Sequence, residues 1–274
     1  MIMNEISELK RNLKEFNITP TKKFGQNFLV NQNIVNQIVR SIGNTCDKEI
    51  LEIGPGIGVL TNQLLKTNIK SLTVVEIDKK MQPILDKIKA PSNMDFNIIY
   101  DDALQINERN FVGNFYSIVA NLPYNISTVL LVKWFKNLHF IDSIIVMVQK
   151  EVANRLIAKV GTHDYGRLGV LAQFTCDCEL LFDVGPENFF PIPKVTSAVV
   201  KLTPKKLLPT LEEINKIERV CKVTFNYRRK QIRKTLKQII ANPEYELKKL
   251  KIDYSKRPEQ LSIDEFLKIS NILK

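Results

Sequence analysis

The segment Glu49-Ile50-Leu51-Glu52-Ile53-Gly54-Pro55-Gly56-Ile57-Gly58 restricts the fold of this chain more than any other. A short apolar run ends there in a glycine turn, and Leu60, Leu64 and Leu65 continue at helical spacing. Such a run marks a strand turning directly into a helix, where glycines let the backbone bend sharply and approach a ligand closely. The unit then recurs. Residues 71–77 form a β-branched run followed by a helical pattern over 81–88, and 97–100 and 116–120 read as further short strands. A helical pattern over 128–135 precedes a buried strand at 143–148. Alternation of this kind predicts an α/β fold on a mostly parallel sheet. Segments 168–178, 179–184 and 195–202 read as strands with little helix between the last two, so the sheet is expected to end in antiparallel pairing. Two amphipathic helices, over 4–16 and 33–42, are expected before the first strand, joined by an extended loop.

At 203–209 the composition shifts to proline and lysine, and beyond it the patterns are helical over 211–224, 228–241 and from Ser262 onward. Ser262-Ile263-Asp264-Glu265 is a capping-box start. The expected organisation is an α/β domain over 1–203 and a small all-helical domain over 204–274. A chain of 274 residues with 44% hydrophobic and 25% charged residues can bury a proper core, which argues against disorder. No apolar run approaches the roughly 20 residues of a membrane helix. The acidic start is unlike a secretory signal. Four cysteines without a CxxC pair and only two histidines argue against a disulfide framework and a His-rich metal site. A cytoplasmic protein is expected, and its net charge of +11 suggests a polyanionic partner.

The glycines are spaced G-x-G-x-G, not the G-x-G-x-x-G that holds a dinucleotide pyrophosphate, which disfavours NAD. Glu52, immediately before the turn, would repel phosphates but suits a cationic ligand. Val74-Val75-Glu76-Ile77-Asp78 ends a second strand in acid 22 residues after Gly54, where a carboxylate can accept from both ribose hydroxyls. Ile98-Ile99-Tyr100-Asp101-Asp102-Ala103 ends a third strand in acid suited to an adenine amine. S-adenosylmethionine has a ribose, an adenine, an ammonium and a sulfonium but no phosphate, and it fits this set better than a nucleotide does.

Asn121-Leu122-Pro123-Tyr124 ends a fourth strand. The exocyclic amine of adenine is a poor nucleophile because its lone pair is delocalised into the ring. Acceptance of its hydrogens by the Asn121 side-chain oxygen and the Leu122 carbonyl would favour a pyramidal nitrogen aimed at the methyl group. Pro123 fixes the chain direction, and Tyr124 offers a stacking face. No general base is required before attack, so catalysis is mostly positioning and electrostatics. Phe189, in the stiff Phe189-Phe190-Pro191-Ile192-Pro193-Lys194-Val195 loop, is a second candidate for closing over a flipped base.

Together with Phe24-Gly25-Gln26-Asn27-Phe28-Leu29, these motifs resemble the small-subunit ribosomal RNA adenine dimethyltransferases from Lys23 to nearly the end of the chain. The resemblance implies a Rossmann-like, seven-stranded class I methyltransferase sheet with a small helical C-terminal domain, S-adenosyl-L-methionine as cofactor and S-adenosyl-L-homocysteine as product. It implies cofactor contacts at Asn27, Leu29, Gly54, Glu76, Asp102 and Asn121. It also implies dimethylation of two adjacent adenosines in a hairpin near the 3′ end of 16S rRNA, late in small-subunit assembly. Adjacent Asp101 is a departure; Asp102 is preferred because it directly precedes Ala103. The close alternative is a 23S rRNA methylase of the macrolide-resistance type. Arg257-Pro258-Glu259-Gln260-Leu261-Ser262 favours the small-subunit enzymes. An RNA-binding assembly factor without turnover is a third reading, opposed by the intact Glu76, Asp102 and Asn121 motifs.

Residues 225–237 contain six cations and no acid, and Ile232, Leu236 and Ile239 keep helical spacing. Lys22, Lys23, Lys194, Arg228, Arg229, Lys230, Arg233 and Lys234 are the expected contacts to rRNA in an immature 30S-type subunit, by a protein expected to be monomeric. Such contacts supply affinity, while RNA shape selects the target.

Overall fold

The computed structural model describes residues 2–21, 25–113 and 115–273. Among the described residues nine strands run in chain order: β1 (Phe28–Leu29), β2 (Glu49–Ile53), β3 (Ser71–Val75), β4 (Asp95–Ile99), β5 (Tyr116–Asn121), β6 (Ile141–Gln149), β7 (Cys176–Val184), β8 (Phe189–Phe190) and β9 (Ser197–Pro204). Seven of them form one sheet in the order β4-β3-β2-β5-β6-β9-β7, and β1 pairs with β8 separately. From β4 to β6 neighbouring strands are parallel, whereas β9 runs antiparallel to β6, with Ile144 opposite Leu202. This is the expected change of direction near the end of the sheet. Ile50, Leu72, Val119 and Ile145 are buried with Val35 and Ile38 of the helix Gln32–Ser41. Parallel strands covered on both faces read as continuous apolar runs, which is why β2, β3 and β5 stand out in the sequence.

The strand order reverses between β2 and β5. Ligands of open α/β sheets bind at the carboxyl ends of the strands beside such a reversal. The register places Ile53 opposite both Val75 and Ala120, and Val75 opposite Ile99. Gly54, Glu76 and Asn121, one step further along their strands, therefore emerge side by side.

Compactness divides the chain into residues 1–133, 139–150 and 179–203 as one unit, and 134–138, 151–178 and 204–274 as the other. This differs from a single cut after 203, because the second unit also takes two earlier segments. Much of the stretch 168–178 is not a strand as expected: Arg167–Thr175 is a helix. Leu168, Val170, Leu171 and Ala172 are all buried, and an unbroken apolar run has no period that separates buried helix from buried strand. Residues 228–241 are likewise not one helix. The helix Leu211–Phe225 ends at Asn226, a turn follows, and only Ile232–Thr235 and the 3-10 turn Leu236–Gln238 are helical. The expected capping box does open the last helix: Ser262 Oγ accepts from the Glu265 amide, and Glu265 accepts from the Ser262 amide. Among the described residues no helix is long and apolar enough to cross a membrane.

Candidate active site

The glycine turn after β2 brings backbone unusually close to its neighbours. Gly56 has φ +57°, and a Cβ there would lie 2.9 Å from the Phe28 ring, so only glycine fits without a shift. Its amide donates to Glu76 Oε2 at 3.0 Å, and the Asp78 amide donates to Glu76 Oε1 at 2.8 Å. Gly54, with φ +70°, donates its own amide to the Val75 carbonyl. The acidic end of β3 and the glycine turn are thus one hydrogen-bonded unit. Burial raises the Glu76 carboxyl above its ordinary pKa, and these amide donors oppose the rise.

A cleft opens at the carboxyl ends of β2 to β5. It is lined by Gln26, Asn27 and Leu29 on one side and by Gly54, Glu76, Ile77, Asp101, Asp102 and the 121–124 segment elsewhere. Asp102 Oδ1 accepts from the Leu104 amide at 2.9 Å, and Asp101 Oδ1 accepts from the Asp102 amide at 2.7 Å. Asn121 Nδ2 donates to the Asn27 carbonyl at 3.1 Å. A carbonyl can only accept, so this bond sets the amide with Nδ2 toward Asn27 and Oδ1 elsewhere. Neither Asn121 Oδ1 nor the Leu122 carbonyl accepts a hydrogen bond from the described residues.

A family model described as ribosomal RNA adenine dimethylase matches residues 18–274. Two curated relatives, both called ribosomal RNA small subunit methyltransferase A, come from Ehrlichia ruminantium and Legionella pneumophila. They are 41% and 44% identical to this chain, each over 93% of it and 98% of their own length. The chain belongs to the ribosomal RNA adenine dimethylase family. Among solved structures, a dimethyladenosine transferase from Plasmodium falciparum matches with TM-score 0.74 at 25% identity, over 87% of this chain and 94% of the other. The 23S rRNA methyltransferase ErmE shares the fold, with TM-score 0.66 at 22% identity over 90% of this chain and 99% of its own.

The dimethylase family is S-adenosylmethionine-dependent, and the cleft suits that cofactor on physical grounds. Among the described residues no lysine, arginine or histidine lines it. Its polar groups are mainly hydrogen-bond acceptors, and Ile77, 44% exposed beside Glu76, presents an apolar surface to it. The sequence reading missed Ile77, although its position directly after the strand-end acid was the available signal. It also missed how Gln26 is held. Gln26 Nε2 donates to Asp78 Oδ2 at 2.8 Å while its Oε1 accepts from the Thr21 amide, so Gln26 is held between Thr21 and the acidic end of β3.

The structure brings Asn27, Leu29, Gly54, Glu76, Asp102, Asn121, Leu122, Pro123 and Tyr124 to this one cleft. The Tyr124 hydroxyl shares a 2.9 Å hydrogen bond with Ser197 Oγ of β9, which steadies the ring. Phe189 does not join them. It pairs with Leu29 across β1 and β8, is 1% exposed, and packs in the core with Val35 and Val199. Glu52 also departs from its expected role as a charge facing a cation. It is fully buried and accepts from Thr61 Oγ1 at 2.7 Å, and burial pushes its carboxyl up to about 8. At neutral pH it is therefore largely protonated.

Proposed function

We propose that this dimethylase transfers methyl groups to N6 of two adjacent adenosines in a hairpin near the 3′ end of small-subunit rRNA, acting as a cytoplasmic monomer on an immature subunit. The observation that carries the reading is the pair of unengaged acceptors, Asn121 Oδ1 and the Leu122 carbonyl, in the same cleft as Glu76 and Asp102. Bound S-adenosylmethionine supplies an electrophilic methyl group on a sulfonium centre. Asn121 and Leu122 accept the two amine hydrogens and so turn the nitrogen lone pair out of conjugation with the ring. The Asn27 carbonyl keeps the Asn121 amide in the orientation this requires. Tyr124, held by Ser197, offers the target base a stacking face. Glu76 and Asp102 hold the ribose and adenine of the cofactor. Catalysis of this kind needs placement of the reactants rather than a residue of tuned basicity.

The names of the curated relatives favour small-subunit over large-subunit rRNA as substrate. For RNA contact, Lys194, Arg229, Lys230 and Lys234 are exposed and form no ion pair with a described acid. Arg233 is shared with Gln231 and Glu244. Arg228 leaves the set: it donates to the carbonyls of His163 and Tyr165, so its charge serves the fold of the second unit. Lys22 and Lys23 lie outside the described residues.

The test is methyl transfer from labelled cofactor to immature small subunits and, separately, to large-subunit rRNA, with the modified base mapped. Label on adjacent adenosines of the small-subunit RNA is expected. Label confined to large-subunit RNA would reverse the choice of substrate, and no label on either RNA would favour a binding factor without turnover.

A further inference from the structure

The turn that carries Asp102 is gripped by one side chain from the helix Ser127–Phe135, which begins just after the Asn-Leu-Pro-Tyr motif. Within the turn, the Asp102 carbonyl accepts from the amides of Gln105 and Ile106, and Asp102 Oδ1 accepts from Leu104. From outside, Lys133 Nζ donates to the carbonyls of Ala103 at 2.7 Å and Ile106 at 2.6 Å, and it pairs with Glu108 at 2.8 Å. An ammonium has three N–H donors, and the carbonyls of Ala103 and Ile106 and the carboxylate of Glu108 are among the acceptors around this one. Glu108 is itself buried, so the arrangement is more than a solvated surface pair.

We infer that Lys133 is a positioning residue for the cofactor: it fixes the 102–106 turn so that the Asp102 carboxylate meets the adenine amine. The inference rests on the reading of Asp102 given above. It links the purine end of the cofactor site to the helix that follows the target-amine motif. Loss of the ammonium would free both carbonyls and let the turn move, with Asp102 on it. The effect would fall on recognition of the amine and not on every part of the cofactor equally.

Isothermal titration of the full chain with S-adenosylhomocysteine, and with S-inosylhomocysteine, tests this. The second compound carries a carbonyl in place of the amine, and a carboxylate repels it. The unaltered protein should bind the adenine compound at least about tenfold more tightly, since a site built to accept from an amine rejects a ligand without one. Lys133→Met should weaken the adenine compound by about tenfold, or about 1.4 kcal/mol, and leave the inosine compound nearly unchanged. Lys133→Arg keeps the charge but replaces a compact head with a planar fork. It should also lose selectivity, and it carries the test where the methionine variant does not fold. Glu108→Gln keeps Lys133 on both carbonyls and should retain selectivity. Equal weakening of both compounds in the Lys133 variants, or undiminished selectivity in both, overturns the positioning role alone. Loss of selectivity in Glu108→Gln equal to that in Lys133→Met does the same. An unaltered protein indifferent to the amine overturns the Asp102 reading and the positioning role with it.

Discussion

At the residue scale, Asn121 and Glu52 differ in how directly their type declares their role. Asn121 has its donor side bound to the Asn27 carbonyl and its acceptor side unengaged. On the proposed reading Asn121→Ala removes the acceptor for the target amine, and the rate of methyl transfer should then fall on the order of 100- to 1,000-fold, the usual loss for a group preorganised toward a transition state. Affinity for RNA, measured by filter binding, should be unchanged, because the side chain carries no charge. A comparable loss of RNA affinity would mean that Asn121 holds the substrate and does not activate it. Glu52 behaves in the opposite way from what its type suggests. Its folded pKa of about 8 lies above the ordinary carboxylate range, so the folded state holds the proton more tightly than the unfolded chain does. That contribution to stability is complete below the ordinary carboxylate range and is lost as pH rises toward 8. Glu52→Gln keeps an acceptor for the Thr61 hydroxyl but cannot ionise. Thermal melts should therefore show the variant gaining on the unaltered protein between pH 5 and pH 8.5. Parallel curves would show that Glu52 does not titrate across this window.

At the scale of elements, legibility in the sequence depended on whether a segment's partners leave a trace in its own residues. β2, β3 and β5 do, because strands buried on both faces are mostly apolar and these end abruptly in glycine, acid or Asn-Leu-Pro. The row of site residues followed from those ends, since parallel strands in register bring their carboxyl termini together. Phe189 was misplaced because two aromatic residues in succession do not declare which one faces inward; pairing with β1 decides it. The Gln26–Asp78 contact spans 52 positions and has no local signature. The helix Arg167–Thr175 was misread because it is buried around most of its circumference. Gly169 on that helix offers a measurement. A Cβ there would press against the Arg155 carbonyl, so Gly169→Ala should lower stability by about 1–3 kcal/mol through overpacking. In an exposed helix the same change would stabilise by about 0.5–1 kcal/mol, so the sign of the shift in denaturation midpoint tests the packing. A stabilised variant would contradict this close approach.

For the whole molecule, the net charge of +11 conceals a division of labour. The cleft is lined by Glu76, Asp101 and Asp102, and among the described residues by no cation. The segment after the helix Leu211–Phe225 exposes Arg229, Lys230, Lys234 and Lys237, none of them in an ion pair with a described acid. Charges of this second kind are free to replace counterions on a polyanion, and each phosphate so neutralised contributes on the order of 0.7 to 0.9 to the slope of log affinity against log salt concentration. Replacing Arg229, Lys230 and Lys234 together by glutamine should therefore flatten that slope for rRNA by about 2 to 3, with little change in melting temperature. Arg228, adjacent in sequence and identical in charge to Arg229, should behave otherwise. Its guanidinium donates to the His163 carbonyl at 2.7 Å and the Tyr165 carbonyl at 3.0 Å. Arg228→Ala removes the donor to both carbonyls, of which the Tyr165 bond is partly buried, so it should cost roughly 1 kcal/mol of stability and leave the salt slope where it was. Titrations of both variants between 50 and about 200 mM salt, the range over which counterion release dominates, separate the two behaviours. A slope that flattens for Arg228→Ala as much as for a single exposed lysine would place Arg228 on the RNA after all.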